Sequence, residues 1–397
     1  MNILYHFRTR GTGPESVHIA GVAKAFEDVG NKVSFCSPTD VNPLECAGAN
    51  PYGGRARSGL IRRLVDLCPG FLFEFLELGY NISAWRRIKR LLSSGDFGLI
   101  YERHAFFLCS TAILAKRRGI PLVIEVNELV GDDRVRRQPL LSPLARKCDR
   151  IAFSRASVII TVSPHLKRRI ADMGIDAQKI LVLPNAIDEA DYESLPTPFE
   201  LPERLHPAPD TVVIGFVGWF VAWHRLDRLI EIVANLARTR PQLRLALVGD
   251  GELRDSLKAQ VEKVGLASQT WFTGSVAHSE IPAQIGCMDI CVVPHSNEFR
   301  SPIKLFEYMG QGKTIVAPRT EPIEMVIEDG KNGILFDPES VDGLERALEK
   351  VIDNQELRQR IGKQARTDAL ERHTWKRNAE KTLAAVASAP TNQAKCD

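Results

Sequence analysis

The stretch Ser301–Pro318, SPIKLFEYMGQGKTIVAP, carries a cation where a helix is already positive. Ser301 suits an N-cap and Pro302 the first helical position, while Gly310 and Gly312 supply a stop, so the spacing predicts a short helix between them. Ile303, Phe306 and Met309 would turn toward a core. Lys304 then falls at the third helical position, beside free backbone N–H groups and the positive end of the dipole. An anion would relieve that charge: a diphosphate at the helix start, with Glu307 about 4.5 Å further along the axis to accept hydrogen bonds from sugar hydroxyls. Lys304 and Glu307 could equally pair with one another on a solvated face, a contact worth about 0.2–0.5 kcal/mol.

Other polar residues cluster where strands end. RTRGTGPESVH places Gly11 and Gly13 after the first expected strand, with Glu15 and His18 following; glycine there lets backbone approach a ligand. YERH closes another strand with Glu102, Arg103 and His104, and EVNELV closes the next with Asn127 and Glu128. Later, Gly218, the pair Gly249 and Gly251, and Thr273–Val276 close three more. Each glycine turn alone is ordinary punctuation, but parallel sheets gather ligands at the C-terminal ends of their strands.

The elements that would position these residues follow from hydrophobic patterning. Short runs that are apolar throughout, separated by helical stretches, predict a parallel sheet covered on both faces, first in the region before residue 190 and again after 210. The reading is α/β: a domain over 1–190, a proline-broken linker over 191–210, a second domain over 211–372 and a terminal helix over 373–390. Two such layered domains facing one another would enclose a cleft.

Composition is that of a globular protein, 44% hydrophobic and 25% charged over 397 residues, with net charge +3. The basic excess is local: residues 55–150 hold 18 Lys and Arg against 10 Asp and Glu. An anionic neighbour is expected there, and without a nucleic-acid module or aromatic-basic repeat, a membrane surface or phosphorylated substrate fits better than nucleic acid. Eight cysteines form no C-x-x-C pair, which together with the lack of a signal-peptide pattern or apolar span predicts a reduced, cytoplasmic protein. No Asp/His cluster suggests a metal site.

Taken in order, RTRGTGPESVH, YERH, VLPNAID, GFVGWFVAWHRLDRLI, LVGDGELRDSLK, FTGSV, SPIKLFEYMGQGKTIVAP and IEDGKNGILF resemble the group 1 glycosyltransferases, family 4, over nearly the whole chain. The resemblance implies the GT-B fold, two Rossmann-like doubly wound domains facing across a cleft. It implies retaining transfer of a sugar from a UDP- or GDP-linked donor, without a cofactor, to a saccharide or lipid-linked acceptor in surface polysaccharide or glycolipid synthesis. A nucleotide-sugar epimerase of similar architecture and a nucleotide-sugar-binding protein that has lost catalysis are the alternatives.

The same resemblance distributes roles. Glu307 would bind the ribose, Ser301, Pro302, Ile303 and Lys304 the diphosphate or sugar, Gly11, Gly13, Gly218 and Gly249 the phosphates by close approach, and Val276 the base through its backbone. His104 matches a catalytic-pocket histidine, and Glu15, His18, Asn127 and Glu128 would face the acceptor. Two departures stand out. The usual spacing puts the motif's first glutamate at Phe299, whereas the available acid is Glu298 one place earlier, which a loop adjustment would let reach the sugar as a catalytic residue beside His104 and Lys304. The loop holding an Arg and a Lys in relatives here has Trp219, His224 and Arg225. Phosphate neutralisation would then fall to Lys304, Arg225 and a protonated His224.

Leu60–Leu92 mixes Phe71, Leu72, Phe73, Phe75, Leu76 and Trp85 with Arg62, Arg63, Arg86, Arg87, Lys89 and Arg90. That mixture suits interfacial helices on the inner face of a membrane, and also core-facing helices with solvated basic sides.

Overall fold

The computed structural model describes residues 1–9, 15–39, 41–46, 70–132, 138–205 and 208–389. Gly11, Gly13, Arg62 and Arg63 lie outside the described residues.

Among the described residues, twelve strands form two six-stranded parallel sheets. The first contains β1 (Asn2–His6), β2 (Lys32–Cys36), β3 (Leu99–Arg103), β4 (Leu122–Val126), β5 (Val158–Thr161) and β6 (Ile180–Val182), in the order β2-β1-β3-β4-β5-β6. The chain moves outward from β1 to β2 and then returns to lay β3 on the other side of β1. The direction of winding therefore reverses between β1 and β3, where His6 and Glu102 stand side by side in register.

The second sheet repeats the plan with β7 (Val212–Val217), β8 (Leu243–Val248), β9 (Thr270–Gly274), β10 (Ile290–Val292), β11 (Thr314–Pro318) and β12 (Ile334–Phe336). Its order is β12-β11-β10-β7-β8-β9, so the reversal lies between β7 and β10. Both faces of this sheet are buried, which explains the continuous apolar runs: Ile214 and Phe216 of β7 enter one core cluster, and Val213 and Val217 enter the other. Between them Gly215 leaves room for Met288, whose Sδ would stand only 2.0 Å from a Cβ at that position. Each sheet is thus a doubly wound α/β layer, as the sequence implied.

The chain divides into two compact units: the described residues up to Pro184 together with those from Lys376 onward, and Asn185–Trp375. The proline-rich stretch read as a linker belongs to the second unit. Phe199 stacks on Trp271 with ring centroids 5.0 Å apart, and Leu205 is buried in the core beside Tyr192. Apolar side chains spaced among the prolines fix this segment without regular structure. The helix Trp375–Ser388 follows an isolated bridge between Ile187 and Thr374, and Asn378 Nδ2 donates to Pro184 O at 2.9 Å. Among the described residues, no helix is long and apolar enough to cross a membrane.

Candidate functional site

In the second unit the loops after β7 and β10 both emerge at the point where winding reverses. A sheet of this kind opens a crevice there, because neighbouring connections leave toward opposite faces. Gly218 begins the first loop with φ 143°, a conformation open to glycine, and a Cβ on it would lie 2.6 Å from Lys304 Nζ. Gly249 has φ 133°, and its Cβ would meet Gly218 O at 2.0 Å. The glycines therefore let two backbone loops and one ammonium group occupy the same small space.

The helix Ile303–Gly310 delivers that ammonium. Leu305, Phe306, Tyr308 and Met309 are buried, and Tyr308 Oη accepts a 2.8 Å hydrogen bond from the N–H of Val217, tying the helix to the last residue of β7. At the other end Arg366 Nη1 donates to Gly310 O at 2.5 Å, a cation placed against the negative end of the dipole. The start differs from the expected one. Pro302 occupies the N-cap position, and Ser301 Oγ accepts instead from the N–H of Asn185 at 2.9 Å, while Asn185 Nδ2 donates to Ser301 O at 2.5 Å. The serine is spent on anchoring the loop, so the first helical turn receives no side-chain cap. Ile303 stays partly exposed while its neighbours on the core side do not.

Lys304 Nζ lies 3.4 Å from His224 Nε2 and 3.8 Å from the centre of the Phe216 ring. Burial pushes its ammonium pKa down to about 7, with Glu307 opposing. His224 is pushed much further down, first by burial and then by Lys304, Arg300 and His295, so it is neutral. The expectation of a protonated His224 is corrected on this ground: a buried imidazole among cations cannot hold a proton. Arg225 does not take over. Its guanidinium is exposed and chelated by Asp227, with Nε to Oδ1 at 3.1 Å, and its own φ of 50° sets the start of the following helix.

The cation that sequence reading missed is Arg300. Its guanidinium lies 4.8 Å over the Trp223 ring and 5.2 Å over Phe299. Phe299, standing where the motif would hold a carboxylate, is buried and serves as part of this aromatic seat, whereas Glu298 is exposed. An arginine next to an aromatic on a loop two residues before a proline carries no periodic signal, which is why composition and spacing passed over it. Three further buried atoms in these loops, His224 Nδ1, His295 Nδ1 and Asn297 Oδ1, have no hydrogen-bond partner among the described residues.

Glu307 is not a solvent-facing residue. It is 7% exposed and its Oε1 is 3.0 Å from His278 Nε2, so it pairs across to the loop after β9 rather than with Lys304. For His278, burial lowers the pKa but the bond to Glu307 and its charge raise it further, leaving a net upward shift. Val276, two residues before, is partly buried against the core. Among the described residues there is no group of three or more His, Cys, Asp or Glu placed to hold a metal ion.

The first unit has its own polar concentration at the β1/β3 reversal. His6 Nδ1 is 2.6 Å from Glu102 Oε2, and its Nε2 is 3.1 Å from Tyr80 Oη. Next to it Glu125 gathers four partners: Tyr101 Oη donates at 2.7 Å, Arg103 Nη1 at 2.7 Å and Asn127 Nδ2 at 2.5 Å, and His18 Nε2 lies at 2.9 Å. Burial opposes its ionisation, but His18, Arg103 and the hydrogen bonds outweigh that and hold the carboxyl far below the usual carboxylate range. His18 and Asn127 are therefore brought together, with Glu125, unmarked in the sequence reading, as their hub. Glu15 and Glu128 are partly exposed nearby in sequence. The His104 N–H donates to Glu125 O at 2.8 Å, but its side chain is engaged elsewhere: Nε2 is 2.8 Å from Asp149 Oδ1, the side chain is 3% exposed, and its ring packs on Phe106 and Phe153.

Residues 16–191 match the family described as Glycosyltransferase Family 4, and residues 199–368 match Glycosyl transferases group 1. The chain is 25% identical to the alpha-D-kanosaminyltransferase of Streptomyces kanamyceticus over 64% of its own length and 67% of that protein's. It is 24% identical to a GDP-mannose-dependent alpha-(1-6)-phosphatidylinositol monomannoside mannosyltransferase of Mycolicibacterium smegmatis, over 73% of this chain and 76% of that one. In fold it is similar to HepE of Anabaena, crystallised with UDP: TM-score 0.69 at 19% identity, covering 97% of this chain and 100% of that one.

Proposed function

Because this chain belongs to the group 1 glycosyltransferases of family 4, and is thus a nucleotide-sugar-dependent transferase, we propose that its second unit binds the donor at the β7/β10 reversal and that transfer proceeds with retention. The observation that carries this is the meeting of Lys304 with neutral His224 beneath Gly218, with Arg300 alongside. A buried ammonium at a helix start, facing a neutral imidazole, awaits an anion. A sugar diphosphate supplies it, its phosphates on Lys304 and the free N–H groups around Ile303, its ribose hydroxyls on Glu307 and its base beside Val276.

During transfer the bond from the anomeric carbon to the diphosphate breaks and negative charge grows on the departing phosphate. Lys304 and Arg300 stabilise that charge, which leaves no step requiring a metal. Phe299 removes a carboxylate from the place matched to the motif, so the acceptor hydroxyl attacks from the face the leaving group vacates and gives its proton to the diphosphate. Glu298, exposed one position earlier, is not assigned a nucleophilic role. The acceptor side falls to the first unit, with Glu15, His18, Asn127 and Glu128 around Glu125, and His104 oriented by Asp149. UDP- and GDP-sugars both fit this reading, as does a saccharide or lipid-linked acceptor.

The test is donor turnover with and without acceptor. Nucleoside diphosphate release that requires acceptor, resists chelator and gives a product of unchanged anomeric configuration is expected. Donor interconversion without acceptor, as an epimerase would show, or binding without turnover would overturn it.

A further inference from the structure

The 25-residue helix Gly70–Ser94 keeps two different sides. Ala84, Ile88 and Leu92 are buried against the first unit, four residues apart. Turned outward are Leu72, Phe73, Phe75, Leu76 and Ile82, which are 43%, 41%, 55%, 67% and 60% exposed. Leu72, Leu76, Gly79, Ser83, Arg86 and Arg90 advance by three or four residues and so lie along one stripe. That stripe is apolar over its first half and cationic over its second.

The acids of this helix are absent from the stripe. Glu74 is buried and accepts from the N–H groups of Leu140 and Leu141 at 2.6 and 2.7 Å, and Glu77 is bound to Arg8 at 2.6 Å. Arg87 also turns inward, donating to Ser37 O at 2.5 Å, and Trp85 lies under Arg117 at 5.2 Å rather than on the outer face. Arg86, Lys89 and Arg90 remain exposed, with no ion-pair partner among the described residues, and Gly79, Ile82, Ser83, Arg86 and Arg90 line one concavity. A single exposed leucine needs no explanation; five large apolar groups over three turns, running straight into three cations without an ion-pair partner among the described residues, do.

We propose that this face rests on an anionic lipid surface, Leu72, Phe75, Leu76 and Ile82 entering the headgroup boundary and Arg86, Lys89 and Arg90 meeting lipid phosphates. Sorting of acids inward and bases outward is what an anionic surface selects, and the helix lies in the interface plane. The inference is independent of the donor site.

The test is cosedimentation of the full chain with vesicles of phosphatidylcholine alone and mixed with phosphatidylglycerol, at low and high salt. Binding confined to the anionic vesicles and weakened by salt is expected. Arg86→Gln with Arg90→Gln should lower partitioning roughly 30-fold, at about 1 kcal/mol per charge. Phe75→Ser with Leu76→Ser should abolish it while UDP binding and the thermal transition stay unchanged. No anionic preference at low salt, or partitioning untouched by either pair, overturns the proposal. A concentration-dependent dimer that the serine pair dissolves, without vesicle binding, assigns the face to a second copy and overturns it as well.

Discussion

The two winding reversals, β1/β3 in the first unit and β7/β10 in the second, share a topology and differ in charge. At the first, the carboxylates on the two strands β3 and β4 are both answered: Glu102 by His6, Glu125 by Arg103, Asn127, Tyr101 and His18. At the second, Lys304 faces a neutral histidine and Arg300 faces two aromatic rings. One crevice is complete as it stands, and its polar groups contribute to holding strand ends together. In the other, the Lys304 ammonium faces a neutral imidazole, which is the arrangement expected of a site whose counter-charge arrives with its ligand.

The comparison breaks first at Glu125. Glu125→Ala leaves Arg103 buried without its counter-charge, so it should cost about 3–5 kcal/mol of stability while leaving UDP affinity unchanged in the folded fraction, read by denaturant titration and calorimetry. Lys304→Ala should do the reverse. It should lower kcat by about 10²–10³, or roughly 2.7–4 kcal/mol, with little loss of stability, and weaken UDP far more than uridine. Equal losses for UDP and uridine would move Lys304 out of the phosphate subsite.

Glu307→Ala joins the two behaviours, since this residue is both buried and assigned to the ribose. Its loss should cost about 1–3 kcal/mol in stability by stranding His278, together with a lower affinity for uridine itself. Unchanged uridine affinity would leave Glu307 a structural partner of His278.

The most discriminating effect is on pH. With the Lys304 pKa at about 7 in the free protein and near 10.5 when unfolded, the unfolded chain binds more protons between those values. Stability from this group therefore rises with pH from about 7 toward 10.5, while kcat/KM for the donor, which needs the protonated lysine, falls above about 7. Parallel pH profiles for melting and kcat/KM would contradict the assignment.

The alternation of apolar strands with helices and the Lys304 helix were legible because period, glycine stops and strand-end position are local signals. Pairing was not. Glu307 and His278 are 29 residues apart, and His18 and Glu125 more than 100, so only the assembled sheets reveal that these acids are already engaged. Ser301 illustrates the same limit: its type is right for a cap, but Asn185 competes for its hydroxyl from across the fold. Within the stretch read as a linker over 191–210, proline masks periodicity while Phe199 and Leu205 still find apolar partners in the second unit.

The division at Pro184 and Trp375 has a consequence for the order of assembly. The second unit is one continuous run of chain, whereas the first is interrupted by it and recovers the helix Trp375–Ser388 only after that run has been made. During synthesis from the N-terminus, the second unit can close as soon as it emerges, but the first unit must wait in a partly covered state. Truncation just before Lys376 should accordingly leave the second unit protease-resistant and the first one open to cleavage.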